Sequence, residues 1–264
     1  MPMSWNDLSK KDYLYVCKLF GNLISNSANP DEKNHVNDYY AAKVLLINRF
    51  CKFRFRTALI VTASQYADLL PITNFLDKKV NIDQQHLPKI RIGLRTFYGP
   101  QAGLTTSTFA EFIAADTYFV QMATKTDPLL KYKLIASLYR RKRSGVKKEK
   151  RNGTWNGDYR QSFNDNSIEQ MALFFQKRIN PVYAQAIVYF YWGFREKHVL
   201  RFENVFEPPK NTKLRVANNY GWVGTLLQLS GDKFGDIEKT GDTNWFTVLL
   251  ELSRQLDINS QKQD

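Results

Sequence analysis

Apolar side chains return every three or four residues along most of this chain, and this spacing restricts the fold more than any other feature. Side chains at such intervals lie on one face of an α-helix, so a chain built from them must bury those faces against each other. Leu14, Cys17 and Phe20 belong to the first such stripe, and residues 36–51 contain the second. The pattern predicts a mainly α-helical protein.

Two strong helices are predicted in the middle of the chain, where capping signals precede apolar stripes. Thr108 and Glu111 have the spacing of a capping box, and Asp127 followed by Pro128 suits the start of the next helix. The short connection between them predicts an antiparallel helical hairpin. Asp116 falls inside the first stripe, where we expect a hydrogen bond from a nearby Tyr or Arg to satisfy a buried carboxylate. A catalytic carboxylate is the alternative.

A small β element is predicted at about residues 53–97. Apolar and polar residues alternate in "FRFR", residues 53–56, and in "IRIGLRTF", residues 90–97. We interpret each stretch as one short strand. The sequence does not fix the register in which these strands would pair, so two alternatives stay open: four arginines share one outer face, or the alternation only places polar residues outward. The four are Arg54, Arg56, Arg91 and Arg95.

A break at residues 207–213 divides the predicted helical framework. The segment "EPPKNTK" contains two adjacent prolines, which cannot lie inside a helix. We therefore predict a main helical domain over residues 1–206 and a C-terminal helical subdomain over residues 214–264. Within the main domain, residues 140–163 are interpreted as a long basic loop, because the preceding helix ends at Tyr139 and the basic run continues into a stretch rich in Gly and Asn.

The basic loop concentrates the positive charge of the chain. The sequence has 38 Lys and Arg against 25 Asp and Glu, a net charge of +13, and "RRKRSGVKKEKR" at residues 140–151 supplies eight of the cations with a single Glu. The candidate contact residues are Arg140, Arg141, Lys142, Arg143, Lys147, Lys148, Lys150, Arg151, Trp155 and Tyr159.

Two interpretations of these candidates stay open. The cations can neutralise nucleic-acid phosphates while the two rings stack on bases. A solvated loop that docks on an acidic protein partner explains the same charge. Because an irregular surface loop contributes little to stability, we expect replacement of all eight cations by Ser to abolish nucleic-acid binding without unfolding the protein.

Signatures of catalysis, cofactor binding and metal binding are missing from the sequence. No GxGxxG, GxxxxGK[ST], HExxH or GxSxG pattern occurs, and the three histidines are far apart. We therefore expect a protein that is not an enzyme and binds no cofactor or metal. Cys17 and Cys51 lie in apolar stripes, which indicates buried free thiols in a reducing compartment. The longest apolar run, "AIVYFYWGF", is about half a membrane span, so no membrane partner is expected.

Several segments, taken in order, resemble a largely uncharacterised family from phages and prophages of Bacteroidetes bacteria, found among virion and tail-assembly genes. They are "SWNDLSKKDYLYVCKLF", "LPITNFL", "LPKIRIGLRTFYGPQAGLTTSTFAEFIAADTYF", "LIASLYRRK" and "GWVGTLLQLSGDKFG". These segments carry packing and turn motifs, so the resemblance implies no catalytic residues. This chain departs from the pattern by its long basic insert.

The resemblance implies a non-enzymatic phage protein that acts in virion morphogenesis. Tail assembly, as a chaperone or a minor structural component, is the implied role, with other virion or tail proteins as partners in the host cytoplasm or the virion. The alternative is a nucleic-acid-binding packaging or genome-associated protein that uses the basic loop at residues 140–151.

Overall fold

The structure is a computed structural model that describes most of the chain. The described ranges are residues 1–26, 32–78, 80–82, 84–206, 221–231 and 234–261. Within them the protein is mainly α-helical, with thirteen α-helices and one sheet of three antiparallel strands. The predicted fold class, helical with a small β element, is confirmed. No helix in these ranges is both long and apolar enough to cross a membrane.

The elements follow one another in this chain order. The first half contains α1 (Lys10–Asn26), α2 (Glu32–Phe50), α3 (Phe55–Ile60), α4 (Ala63–Leu69), a 3₁₀ segment (Leu70–Leu76), β1 (Lys89–Ile92), β2 (Arg95–Tyr98), α5 (Phe109–Thr124) and α6 (Leu129–Leu138). The second half contains β3 (Arg140–Arg141), α7 (Val146–Asn152), α8 (Ile168–Arg178), α9 (Pro181–Arg201), α10 (Glu203–Phe206), α11 (Gly221–Leu229), α12 (Ile237–Asp242) and α13 (Trp245–Gln261).

Two compact units divide the chain. The first comprises Met1–Leu87 and Asn180–Glu196, and the second comprises Pro88–Ile179 and Lys197–Asp264. The boundary predicted at residues 207–213 lies outside the described residues and stays a prediction. The helices of the predicted C-terminal subdomain, α11, α12 and α13, belong to the second unit.

The first unit is built around an aromatic and aliphatic core. The Tyr13 hydroxyl donates a hydrogen bond of 2.5 Å to the carbonyl oxygen of Ala186, and the ring of Tyr13 stacks on His86 with centroids 4.4 Å apart. At the surface, Arg49 Nε donates to Asp12 Oδ1 at 2.6 Å and joins α2 to α1. These contacts explain why the apolar stripes of the sequence mark helices: each stripe is the face that the unit buries.

Residues 53–56 form no strand, and this prediction is wrong. Helix α2 ends at Phe50, Lys52 adopts a left-handed backbone with φ of 53°, and Arg54 precedes the first turn of α3. Four alternating residues are too few to distinguish a strand from a helix start, whereas Phe55 and Leu59 already have the i, i+4 spacing of a helix.

Residues 90–97 form a hairpin instead of one strand. Strands β1 and β2 turn at Gly93–Leu94, with Ile92 opposite Arg95, and the Leu94 side chain is 94 % exposed. Arg91 lies opposite Thr96, so Arg91 and Arg95 point to opposite faces of the sheet. The alternative of a single face with four arginines is therefore excluded. Strand β3 completes the sheet by pairing with β2.

The second unit buries its helices against this sheet and against each other. Phe97 of β2 meets Phe174 and Phe175 of α8, with ring centroids 5.7 and 5.0 Å away. Asp116 of α5 is buried, and it accepts a hydrogen bond of 2.8 Å from the Trp222 indole nitrogen. A structural hydrogen bond at Asp116 is thus present as expected, and one of its donors is the Trp222 indole.

The two cysteines differ in their surroundings. Cys17 is a buried free thiol, as predicted, and burial raises its pKa to about 12. Cys51 is only half-buried, so the prediction of burial is wrong there.

At pH 8, we expect 5,5′-dithiobis(2-nitrobenzoate) to modify Cys51 and to spare Cys17, because the thiolate fraction of Cys17 is roughly a thousandfold or more below that of an ordinary thiol. In a Cys51→Ser variant, absorbance should rise only after urea unfolds the protein; fast modification of native Cys17 would contradict its burial.

Candidate nucleic-acid interface

Residues 140–141 form a strand and residues 146–152 form a helix, so the prediction of an irregular loop is wrong there, whereas residues 154–163 are irregular apart from the bridge at Arg160. The segment leaves β3, turns at Gly145, forms α7 and ends that helix at Gly153. Both glycines have left-handed backbones, with φ of 80° and 71°, a conformation that most side chains disfavour. Lys, Arg and Glu are good helix formers, but with one buried apolar residue, Val146, the helix shows no apolar stripe in the sequence.

Backbone hydrogen bonds fasten the far end of this segment to the sheet. The Arg143 N–H donates to the Tyr159 carbonyl at 2.9 Å, and the Gln161 N–H donates to the Arg141 carbonyl at 2.9 Å. Lys142 and Arg160 are the paired residues of this antiparallel bridge. The chain therefore leaves the sheet at β3 and returns to it within twenty residues, with α7 held between.

A buried network of two arginines and two carboxylates lies beneath the segment. The Arg160 side chain is fully buried, and Glu111 of α5 is 1 % exposed. One Glu111 oxygen accepts from Arg160, and the other accepts from Arg140 Nη2 at 3.0 Å. Asp158 Oδ2 accepts from Arg160 Nη2 at 2.9 Å. The four formal charges cancel, which a buried set of ions requires.

Backbone and hydroxyl oxygens accept the remaining donors of this network. Arg140 donates to the carbonyl oxygens of Ser137 and Gln161, each at 2.7 Å, and Arg160 donates to the carbonyl oxygen of Leu138 at 3.1 Å. Burial lowers the pKa of Arg140 in spite of the Glu111 charge. Burial opposes the charged form of Arg160 too, but Glu111 and Asp158 outweigh it and raise the Arg160 pKa. Arg140 begins the basic segment and Arg160 lies near its end, and both bind Glu111, so the network fixes the position of both ends.

Sequence reasoning missed this network because it assigned Glu111 to a capping box. Half of that box exists: the Glu111 N–H donates to Thr108 Oγ1 at 3.3 Å. The Glu111 carboxylate, however, is engaged by the two arginines. One feature of the sequence did indicate this network: Glu111 lies beside Phe112 on the buried side of α5. A carboxylate in that position needs a cation as partner, because an unpaired buried charge is costly.

The ten predicted contact residues separate into three groups. Arg140 is engaged by Glu111 with its side chain only 12 % exposed, and Arg143 donates to Glu149 Oε2 at 2.5 Å, so neither offers its charge to a partner. Six cations are exposed, and no ion pair among the described residues involves them: Arg141, Lys142, Lys147, Lys148, Lys150 and Arg151. We call these six residues the basic face. Trp155 and Tyr159 form the third group.

Trp155 and Tyr159 lie half-buried beside the basic face and contact its lysines. Lys150 Nζ lies 3.9 Å from the Trp155 ring centroid, and it donates to the Tyr159 hydroxyl at 2.5 Å. Tyr159 also stacks on Tyr98 of β2, with centroids 5.3 Å apart. The Lys150 hydrogen bond, followed by the charges of Lys150, Lys142 and Lys89, lowers the pKa of Tyr159. The positive potential therefore extends from α7 to Lys89 on β1.

The chemistry available at this site is the binding of anions. Ammonium and guanidinium groups donate hydrogen bonds and carry charge, and the acid nearest to them in sequence, Glu149, is neutralised by Arg143. In the part of the chain that the structure describes, no group of three or more His, Cys, Asp or Glu side chains is placed to hold a metal ion. Comparison of the chain with protein-family models, curated proteins and solved structures finds no match.

Proposed function

We propose that this chain is a non-enzymatic protein that binds the phosphate backbone of nucleic acid on its basic face. One observation carries the proposal: six exposed cations, none of them in an ion pair among the described residues, lie on a short ordered segment of strand and helix. A polyanion is the partner that gains most from such a surface, because each neutralised phosphate releases a condensed counterion.

The order of the segment supports binding over mere solvation. Val146 is buried under α7, the Arg143–Glu149 pair holds the start of that helix, and the Glu111 network holds the segment's first residue. A ligand that meets pre-positioned cations loses less conformational entropy on binding than one that must order a loose loop. A charged segment that is only solvated does not require these contacts.

Backbone recognition fits the site better than base stacking. The Tyr159 ring already contacts Tyr98, Trp155 and the Lys150 ammonium, and the same ammonium lies over Trp155. These neighbours cover ring surface that a stacked base would need. The stacking role predicted for Trp155 and Tyr159 is therefore not part of this proposal; the rings position Lys150 instead.

The biological setting of the proposal comes from the resemblance to phage virion genes. In that setting, a basic face suits a packaging or genome-associated protein. Tail assembly through contacts with other virion proteins stays a prediction from the same resemblance.

Fluorescence anisotropy with labelled 20-base-pair duplex and 20-nucleotide single-stranded DNA tests this proposal. If six phosphates are neutralised, the slope of log K against log salt on duplex DNA should be about −5, and single strands should bind no more tightly than duplex. The result should not depend on sequence, since no base edge is read. A slope near zero, or a single-strand preference that Trp155→Ala abolishes, would contradict backbone binding on this face.

A further inference from the structure

An exposed apolar surface on α3, in the first unit, has no cover within the described residues. Phe55, Leu59 and Ile60 are 80 %, 69 % and 77 % exposed, and no residue of α3 is buried. We call these three side chains, with the flanking Arg54 and Arg56, the α3 patch. Scattered exposed apolar residues are ordinary on protein surfaces, but three large ones on six consecutive positions are a local concentration.

The α3 patch is held in place although it is not buried. The Tyr66 hydroxyl on α4 donates to Asn48 Oδ1 of α2 at 2.6 Å and lies 3.4 Å from the carbonyl oxygen of Ala58 on α3. In addition, Thr62 and Gln65 form a complete capping box at the start of α4. These bonds fix the two short helices without covering Phe55, Leu59 or Ile60.

The composition of the patch is that of a protein interface. Aromatic residues and Arg are enriched at interface centres, whereas Lys, Asp and Glu are depleted. Residues 53–67, "FRFRTALIVTASQYA", contain two arginines, two phenylalanines and neither an acidic residue nor a lysine. No ion pair in the ranges that the structure describes involves Arg54 or Arg56.

We propose that the α3 patch docks an acidic amphipathic helix of a partner protein. The apolar face of such a helix would cover Phe55, Leu59 and Ile60, and its carboxylates would pair with Arg54 and Arg56. The observation that selects this partner is charge: the patch presents two exposed guanidinium groups, neither of them in an ion pair with a described residue, beside its apolar side chains, so its complement is apolar and negative. The inference is independent of the basic face, which lies in the second unit.

Two other occupants fit the patch less well. A symmetric dimer through the patch would bring four guanidinium groups, two from each copy, into one interface between chains of net charge +13, and these charges repel. A membrane surface attracts the arginines, but interfacial binding strengthens with the apolar area that is buried, and α3 offers only three large apolar side chains over its six residues. Both occupants become outcomes of the test.

Fluorescence anisotropy with a labelled synthetic peptide tests the proposal on the full chain. The peptide has 18 residues, with Leu on one helical face and Glu elsewhere; a scrambled peptide and one with Lys in place of Glu are the controls. We expect the acidic peptide to bind, and Phe55→Ser with Leu59→Ser to weaken it about tenfold or more. Arg54→Glu with Arg56→Glu should weaken the acidic peptide and strengthen the Lys peptide.

Matched controls distinguish binding at the α3 patch from nonspecific hydrophobic binding. Leu94→Ser with Leu200→Ser removes two exposed leucines, 94 % and 67 % exposed, that lie outside the patch, and should leave peptide affinity unchanged. Far-UV circular dichroism and duplex DNA binding should be unchanged in all these variants. A negative result in the peptide experiment would therefore not contradict DNA binding on the basic face. The proposal is overturned if the acidic peptide does not bind, or if it binds the Phe55→Ser, Leu59→Ser variant equally. Patch-dependent binding to phosphatidylglycerol vesicles, or patch-dependent dimerisation in sedimentation, with no peptide binding, overturns it in favour of those occupants.

Discussion

Glu111→Gln should lower the free energy of unfolding by about 3–5 kcal/mol. The substitution keeps the shape of the side chain but removes one of the two negative charges that face the buried Arg160 and Arg140. Asp158 alone then opposes two guanidinium groups, and one buried positive charge is left without compensation. Urea unfolding followed by circular dichroism measures the loss.

Two further variants show whether burial of the charge is the cause. Glu149→Gln breaks the Arg143 pair, whose side chains are 25 % and 30 % exposed, and should lower the free energy of unfolding far less than Glu111→Gln does, because solvent screens an exposed pair. Arg140→Met in the Glu111→Gln background removes the uncompensated charge and should recover part of the lost stability. Equal losses in Glu111→Gln and Glu149→Gln would mean that the network is solvated and does not anchor the segment.

The helices were predictable from the sequence because burial and periodicity coincide in them. Residues 14–20 and 109–120 present one apolar face each, and the structure buries the central part of those faces: Cys17 in α1 and Phe109, Phe112 and Ile113 in α5 are buried, whereas Val120 is 43 % exposed. The short elements were not predictable, because four to seven residues span too few periods to show one. The segment at 53–56 alternates by chance at a helix start, and α7 has a buried face of one residue, Val146.

The exposed cations of the candidate site could be predicted from the sequence, but the tertiary contacts that hold the segment in place could not. Six of the eight predicted cations are exposed on the basic face, since Lys and Arg at surface positions need no partner. Arg140 and Arg143 look the same in sequence, but tertiary contacts with Glu111 and Glu149 neutralise them. Arg160 and Tyr98 could not be assigned from local pattern, because their partners lie 49 and 61 residues away along the chain.

Ser at the six positions of the basic face should weaken duplex DNA binding roughly a thousandfold or more at about 100 mM salt, with a salt slope near zero. The reason is that nearly all of a backbone-binding protein's affinity comes from released counterions, and these six cations release them. Exposed substitutions of this kind change stability little, although Lys150→Ser also gives up its contact with Trp155. Anisotropy titrations at several salt concentrations give both quantities.

The choice of six residues, and not eight, decides what this experiment can show. Replacing all eight cations, as the sequence suggested, would also remove Arg140 from Glu111 and leave a buried carboxylate with one fewer partner, so lost binding and lost folding would coincide. The matched control replaces six exposed cations outside the basic face, which lowers net charge equally: Lys10, Lys11, Lys18, Lys125, Lys177 and Arg178. If both variants lose affinity alike, only the total charge of the protein attracts DNA, and the basic face is not the site. If the control keeps its affinity and the slope of about −5 while the basic-face variant loses both, phosphates are bound where Arg141 to Arg151 project from α7 and the sheet.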